Sequence, residues 1–217
     1  MRALGLNGAI YRTPPLNKST LLSLFAIAIL ALGVGIGAQS WLNPAPTFTP
    51  KAITIWPKAI RLEPFTLTDH NNQPFTLNNL QEKWHLFFLG YTHCPDVCPT
   101  TMLMLNEVVQ QLPEEIQAKL QIVFISVDPS RDQDKLKPYV EYYNPQFLGV
   151  TGQLKEIYNI TSQFSLPIAQ KVSQDGNYLM DHSASLVLTS PSALKVATFS
   201  SPHYAPDIAH DLSGYIQ

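Results

Sequence analysis

The sequence predicts an α/β fold, a sheet with helices on its faces, joined to a single N-terminal transmembrane helix. Three observations carry that prediction. Short apolar runs alternate with segments of helical period, which implies βαβ units. A long uncharged apolar run stands near the N-terminus. A proline-rich stretch separates the two parts.

The first element is Leu21 to Ala38, apolar except for Ser23 and followed by the interfacial-type Trp41. Its length of about 18 residues is enough to span a bilayer. Arg2, Arg12 and Lys18 precede it, and no Asp or Glu appears before Glu63. The positive-inside rule then leaves residues 1–18 in the cytoplasm, 19–41 in the membrane and 42–58 as a Pro-rich linker, and exports residues 59–217. A signal peptide cleaved near Ala38-Gln39-Ser40 and an organellar transit sequence are the competing readings. The apolar stretch exceeds a typical signal core, which favours the uncleaved anchor. Anchor and signal peptide both put the domain outside the cytoplasm, where disulfides persist. A free dithiol there needs a reductant or a metal.

In the remaining chain, Phe65-Thr66-Leu67-Thr68 and Phe75-Thr76-Leu77 flank a turn-rich segment and form an N-terminal hairpin. His85 to Leu89 is a buried strand. Thr100 to Leu112 is a helix, with Met102, Leu105, Val108, Val109 and Leu112 at helical spacing. Gln121 to Val127 is a second buried strand. Leu136 to Tyr143 and Leu154 to Phe164 are helices, Ser185 to Leu188 a strand, and Pro206 to Ile216 a closing amphipathic helix. Of the 217 residues 14% are charged, well under the usual ~25%, as a membrane segment beside an ordinary domain requires. The net charge of −2, with no basic stripe, argues against nucleic acid as a partner.

Both cysteines fall in one loop, Gly90-Tyr91-Thr92-His93-Cys94-Pro95-Asp96-Val97-Cys98-Pro99, between a strand and a helix. If the helix began at Pro95, the Pro99 ring would strike the carbonyl four residues back, at a cost of ~3 kcal/mol. The spacing instead places Pro99 at the first helical position and Cys98 at the cap. Residues 94–98 then form a non-helical arch, with Cys98 in the positive field that stabilises a thiolate. A structural disulfide is the plain alternative. Closing so short a loop removes only ~2 kcal/mol of unfolded-state entropy, so metal or redox chemistry is the stronger reading.

A metal site needs a third ligand, and the six histidines are the candidates. His182 stands just before the strand at 185–188, at an end of the sheet; position alone leaves it open between ligand and ordinary surface residue. His93 adjoins Cys94, His85 lies within a strand, and His70, His203 and His210 have polar surface surroundings. Two thiolates with one imidazole suit Cu(I), and a neutral imidazole also suits Cu(II). A structural zinc site wants a fourth protein ligand. Met102 falls in the apolar stripe of its helix and reads as core.

The block from Gly90 to Thr100 resembles the signature of the SCO/SenC proteins, membrane-anchored assembly factors of cytochrome c oxidase. Ser126-Val127-Asp128-Pro129-Ser130-Arg131-Asp132, then Phe147 to Gly152, then Tyr178 with Asp181-His182-Ser183-Ala184, resemble its later blocks in order. The likeness runs from about Glu63 to the C-terminus. It implies a thioredoxin-like mixed sheet flanked by helices over 59–217, and copper held by Cys94, Cys98 and His182. It implies a metallochaperone that serves the dinuclear copper centre of the oxidase's copper-accepting subunit, with an upstream copper donor and a thiol reductant. Location in a bacterial inner membrane follows, single-pass with the domain in the periplasm, or in a mitochondrial inner membrane facing the intermembrane space. A thiol–disulfide reductase that keeps the acceptor's cysteines reduced is the competing activity, and a peroxide-reducing thioredoxin relative a third. Asp128 and Asp132 read as turn and helix-cap residues; Asp96 tunes the site's charge or keeps the arch solvated. The sequence departs from the family pattern at Gln81-Glu82-Lys83 and at Thr189-Ser190-Pro191-Ser192-Ala193.

Overall fold

The computed structural model describes residues 17–42, 48–172 and 177–216 and divides into two compact units, Met1–Thr47 and Phe48–Gln217. In the first, α1 (Lys18–Leu42) is a 25-residue helix. Its side chains are described over 17–19 and 21–34, and Leu22, Phe25, Leu30 and Leu32 are exposed. Among the described residues no helix is long and apolar enough to cross a membrane. The transmembrane helix expected over 19–41 is therefore not among the elements described. Residues 1–16 and the 43–47 part of the linker lie outside the described residues.

The second unit opens with β1 (Ile53–Arg61), then the hairpin β2 (Thr66–Asp69) and β3 (Pro74–Thr76). Next come β4 (Trp84–Gly90), α2 (Val97–Gln111), α3 (Glu114–Lys119) and β5 (Leu120–Ser126). The short helix α4 (Pro129–Asp132) and α5 (Leu136–Tyr143) lead to β6 (Leu148–Thr151) and α6 (Leu154–Phe164). A second hairpin, β7 (Ala169–Val172) and β8 (Tyr178–Asp181), precedes β9 (Leu186–Thr189), β10 (Leu194–Phe199) and α7 (Ala205–Tyr215).

Eight strands make one mixed sheet in the order β1-β10-β9-β4-β5-β6-β2-β3, and β7 with β8 make a separate two-stranded one. The central β4, β5 and β6 are parallel, while β9 lies antiparallel to β4. Strands covered on both faces read as unbroken apolar runs rather than alternating ones, which is why Leu86-Phe87-Phe88-Leu89 and Ile122-Val123-Phe124-Ile125 are buried throughout. Phe87 meets Phe164 of α6 on one face; Phe88, Phe124 and Tyr139 of α5 pack as tilted rings on the other.

The expected helices at 136–143 and 154–164 form at those bounds, and the strand at 185–188 is shifted by one residue. The edge strand β1 was not legible in the sequence because Pro57 interrupts it. The register slips between Ile55 and Ile60, the kind of irregularity an edge strand tolerates. The two departures from the family pattern meet in space. Gln81 bridges Ser192, and Glu82 donates its N–H to the Pro191 carbonyl. Glu82 and Ala193 both have positive φ, 72° and 55°, where a glycine would be relaxed.

Topology decides where the chemistry gathers. Parallel β4 and β5 finish together, with Gly90 opposite Ser126, so the cysteine loop and α4 leave from the same end of the sheet. Because β9 is antiparallel to β4 and starts opposite it at Leu186, the residues leading into β9 arrive at that end too. His182 is among them.

Candidate metal centre

Gly90 ends β4 where no side chain fits. A Cβ there would lie 2.5 Å from the Phe124 ring and 2.9 Å from Cys98 Sγ. The loop beyond is held by Asp132, which is fully buried. Its carboxylate accepts the Thr92 amide at 2.8 Å, the Thr92 hydroxyl at 2.7 Å and the Ser126 hydroxyl at 2.6 Å. The Cys94 amide then donates to the Tyr91 carbonyl at 3.2 Å, closing a turn.

The helix α2 starts at Val97, one residue before the expected cap. Cys98 is thus inside the first turn and Pro99 is its third residue. Proline is tolerated there because the first-turn amides have no helical partner to lose, and the carbonyl four residues back belongs to Pro95, outside the helix. One such orphan amide, that of Cys98, donates to Cys94 Sγ at 3.4 Å.

His182 follows β8. Its Nδ1–H donates to the Ser183 carbonyl at 3.1 Å, leaving Nε2 as a lone pair 3.5 Å from Cys98 Sγ. Tyr91 and Phe88 present ring contacts to the imidazole at 5.9 and 6.2 Å. The two sulfurs and a His182 ring nitrogen all lie within 4.8 Å of one another. Ligand bonds of about 2.0–2.3 Å around one ion need donor separations of roughly 4 Å, so the donor set matches a single soft metal ion. Both thiols are free; Cys98 is buried and Cys94 half-buried, so the site opens through Cys94 and His182.

The two sulfurs differ in charge. The Cys98 thiol donates to Cys94 and, against the opposing effect of burial, brings the Cys94 pKa down from 9.0 to about 5; the Asp96 and Cys98 amides add to this. Cys98 is pushed up, first by that same pairing and then by burial. The residue that benefits from the helix start is therefore Cys94, which receives the amide, and not Cys98 as the sequence suggested.

The other candidates lie elsewhere. His85 is buried in β4 with its pKa lowered to about 4 by desolvation, stacked on Phe87. His93 stands beside Lys135 and Asp132. The remaining three serve the backbone or a neighbour: the Gly149 amide for His70, the Ala184 carbonyl for His203, Asp211 for His210. Met102 is core, as its place in the stripe predicts. The residue that sequence reasoning undervalued is Asp132. Its only signal was membership of the 126–132 block, since a buried carboxylate and a helix cap look alike in one dimension.

The SCO1/SenC family model matches residues 57–217. An SCO2-like protein of Rickettsia prowazekii is 35% identical over 169 residues, 73% of this chain and 80% of its own length. The mitochondrial protein SCO2 of Saccharomyces cerevisiae is 38% identical over 133 residues, 59% of this chain but 44% of its own length. Among solved structures, copper-bound ScoI of Bradyrhizobium japonicum aligns with a TM-score of 0.64 and 35% identity, covering 71% of this chain and 99% of that one.

Proposed function

The chain belongs to the SCO1/SenC family, and from that premise we propose that it is a copper metallochaperone that helps assemble the dinuclear copper centre of cytochrome c oxidase. Cys94, Cys98 and His182 are its ligands. The observation that carries this reading is the meeting of two sulfurs and an imidazole nitrogen at one end of the sheet, with Cys98 and His182 84 residues apart in sequence. Two thiolates and a neutral imidazole match Cu(I), and the imidazole extends the site to Cu(II). Cys94 is already the thiolate; Cys98 gives up its proton as the metal arrives. Three ligands leave room for an acceptor's ligand to enter before a donor's leaves, so transfer is ligand exchange. The acceptor is the copper-accepting subunit of the oxidase, served by an upstream copper donor and a thiol reductant.

The uncharged apolar run from Leu21 to Ala38, preceded by Arg2, Arg12 and Lys18, supports a membrane anchor. It is single-pass in a bacterial inner membrane with the domain in the periplasm, the mitochondrial inner membrane being the alternative. Metal analysis of the full chain purified in detergent tests the carrier. We expect one tightly held copper per reduced chain and none in Cys98→Ser; unchanged stoichiometry in that variant overturns the reading.

A second activity is favoured by the low-pKa, half-exposed Cys94 backed by a protonated thiol. The Cys94 thiolate attacks an acceptor disulfide and expels one acceptor thiolate. Cys98, losing its proton to that thiolate or to solvent, then attacks Cys94 and frees the second. The acceptor is left reduced and Cys94–Cys98 oxidised. Trapping of a mixed disulfide on Cys94 in the Cys98→Ser chain supports this activity, and failure of the reduced chain to reduce an oxidised acceptor removes it.

A further inference from the structure

The β7–β8 hairpin that delivers His182 pairs with no strand of the large sheet among the described residues. Something else must set its distance from the cysteines, and α4 lies against both. From one end of α4, the buried Asp132 grips the cysteine loop through Thr92. Asp128, at the cap of the other end, and Arg131, next to Asp132, grip the hairpin. Tyr178, the first residue of β8, donates its hydroxyl to Asp128 Oδ1 at 2.9 Å, and Ser130 donates to the same oxygen at 2.9 Å. Arg131 gives Nε to Asp128 Oδ2 and Nη1 to the Tyr178 carbonyl at 3.2 Å. Its guanidinium sits 3.7 Å from the centre of the Tyr178 ring and 5.6 Å from that of Tyr91, and Tyr91 meets the His182 ring edge-on.

We infer that α4 is a yoke holding the two halves of the metal site at ligand distance, with Arg131 and Tyr178 as positioning residues for His182. The inference rests on the copper reading above. Guanidinium geometry is what the yoke needs: one fork reaches a carboxylate and a carbonyl while its face covers a phenol ring, which an ammonium does not reproduce. Neither residue touches the metal. Loosening their grip lets His182 swing away while the two sulfurs, on the other arm, stay in place. The yoke thereby separates Cu(I), which two thiolates can hold, from Cu(II), which binds less tightly without the imidazole.

The test uses the full chain in detergent with Tyr178→Ala, Tyr178→Phe, Arg131→Ala and Arg131→Lys. Two readouts are taken: nitrogen hyperfine coupling and affinity with Cu(II), and amide hydrogen exchange of residues 178–185 in the metal-free chain. Both alanine variants should keep Cu(I) stoichiometry, weaken Cu(II) by about tenfold, as expected for losing one cation–π contact with its hydrogen bond, lose the nitrogen coupling, and exchange faster at 178–185. Arg131→Lys should behave as the alanine variant, and Tyr178→Phe, which keeps the ring stack, should fall between Tyr178→Ala and the native chain. Native Cu(II) spectra and native exchange in Tyr178→Ala overturn the yoke; so does full rescue by Arg131→Lys, which would reduce Arg131 to a nearby charge. If the native chain binds no copper, the carrier reading fails instead, and exchange in the metal-free chains still decides the yoke.

Discussion

Cys94 and Cys98 are the same residue type four positions apart, yet the fold makes one an acid and the other a base. The cause is local: Cys98 stands inside the first turn of α2, so its amide and its thiol are both donors available to Cys94. A lowered folded-state pKa means that the charged form prevails above it and is lost as pH falls through it. In the metal-free, reduced chain, alkylation of Cys94 should therefore rise through about pH 5 and be level by pH 7. Cys98 should stay unreactive across that range. A Cys94 rate still climbing through pH 9 would contradict the assignment. The motif made the two positions legible, but their division of labour was not. It turns on where the helix begins, and the two prolines are compatible with a start at Val97 as well as at Pro99.

At the scale of elements, the β1 edge is held by the last helix. Asp211 of α7, fully buried, accepts the amides of Lys51, Ala52 and Ile53 at 2.6 to 3.0 Å. Burial by itself raises its pKa, but these amides and His210 outweigh it and the net direction is down. The stabilisation is therefore present above the ordinary carboxylate pKa and fades as pH falls through the lowered one. Asp211→Asn puts an NH2 group against amide donors and should cost about 2 kcal/mol, a fall of roughly 5 °C in Tm near pH 7. That difference should shrink in acid. A Tm unchanged at pH 7 would show that α7 does not hold the edge. Elements with a strong period, such as α5 and α6, were legible from sequence. Of the short strands, β2, β3 and β9 were legible, but β6, β7, β8 and β10 were not: they carry four to six residues each, too few for alternation alone to stand out from a loop, and their pairing is set by partners distant in the chain.

Across the whole molecule, the decisive fact is directional. Parallel β4 and β5 send both the cysteine loop and α4 to one end of the sheet, and antiparallel β9 starts at that same end. Periodicity can find these strands but not their directions, so His182 stayed an open candidate until the family resemblance singled it out. The central claim is that Cys94, Cys98 and His182 bind one copper together. X-ray absorption at the copper edge of the Cu(II)-loaded full chain tests this most directly. Two sulfur scatterers with imidazole nitrogen are expected in the native chain, and loss of the imidazole signature in His182→Ala with both sulfurs retained. A native spectrum without sulfur, or one that His182→Ala leaves unchanged, would contradict it.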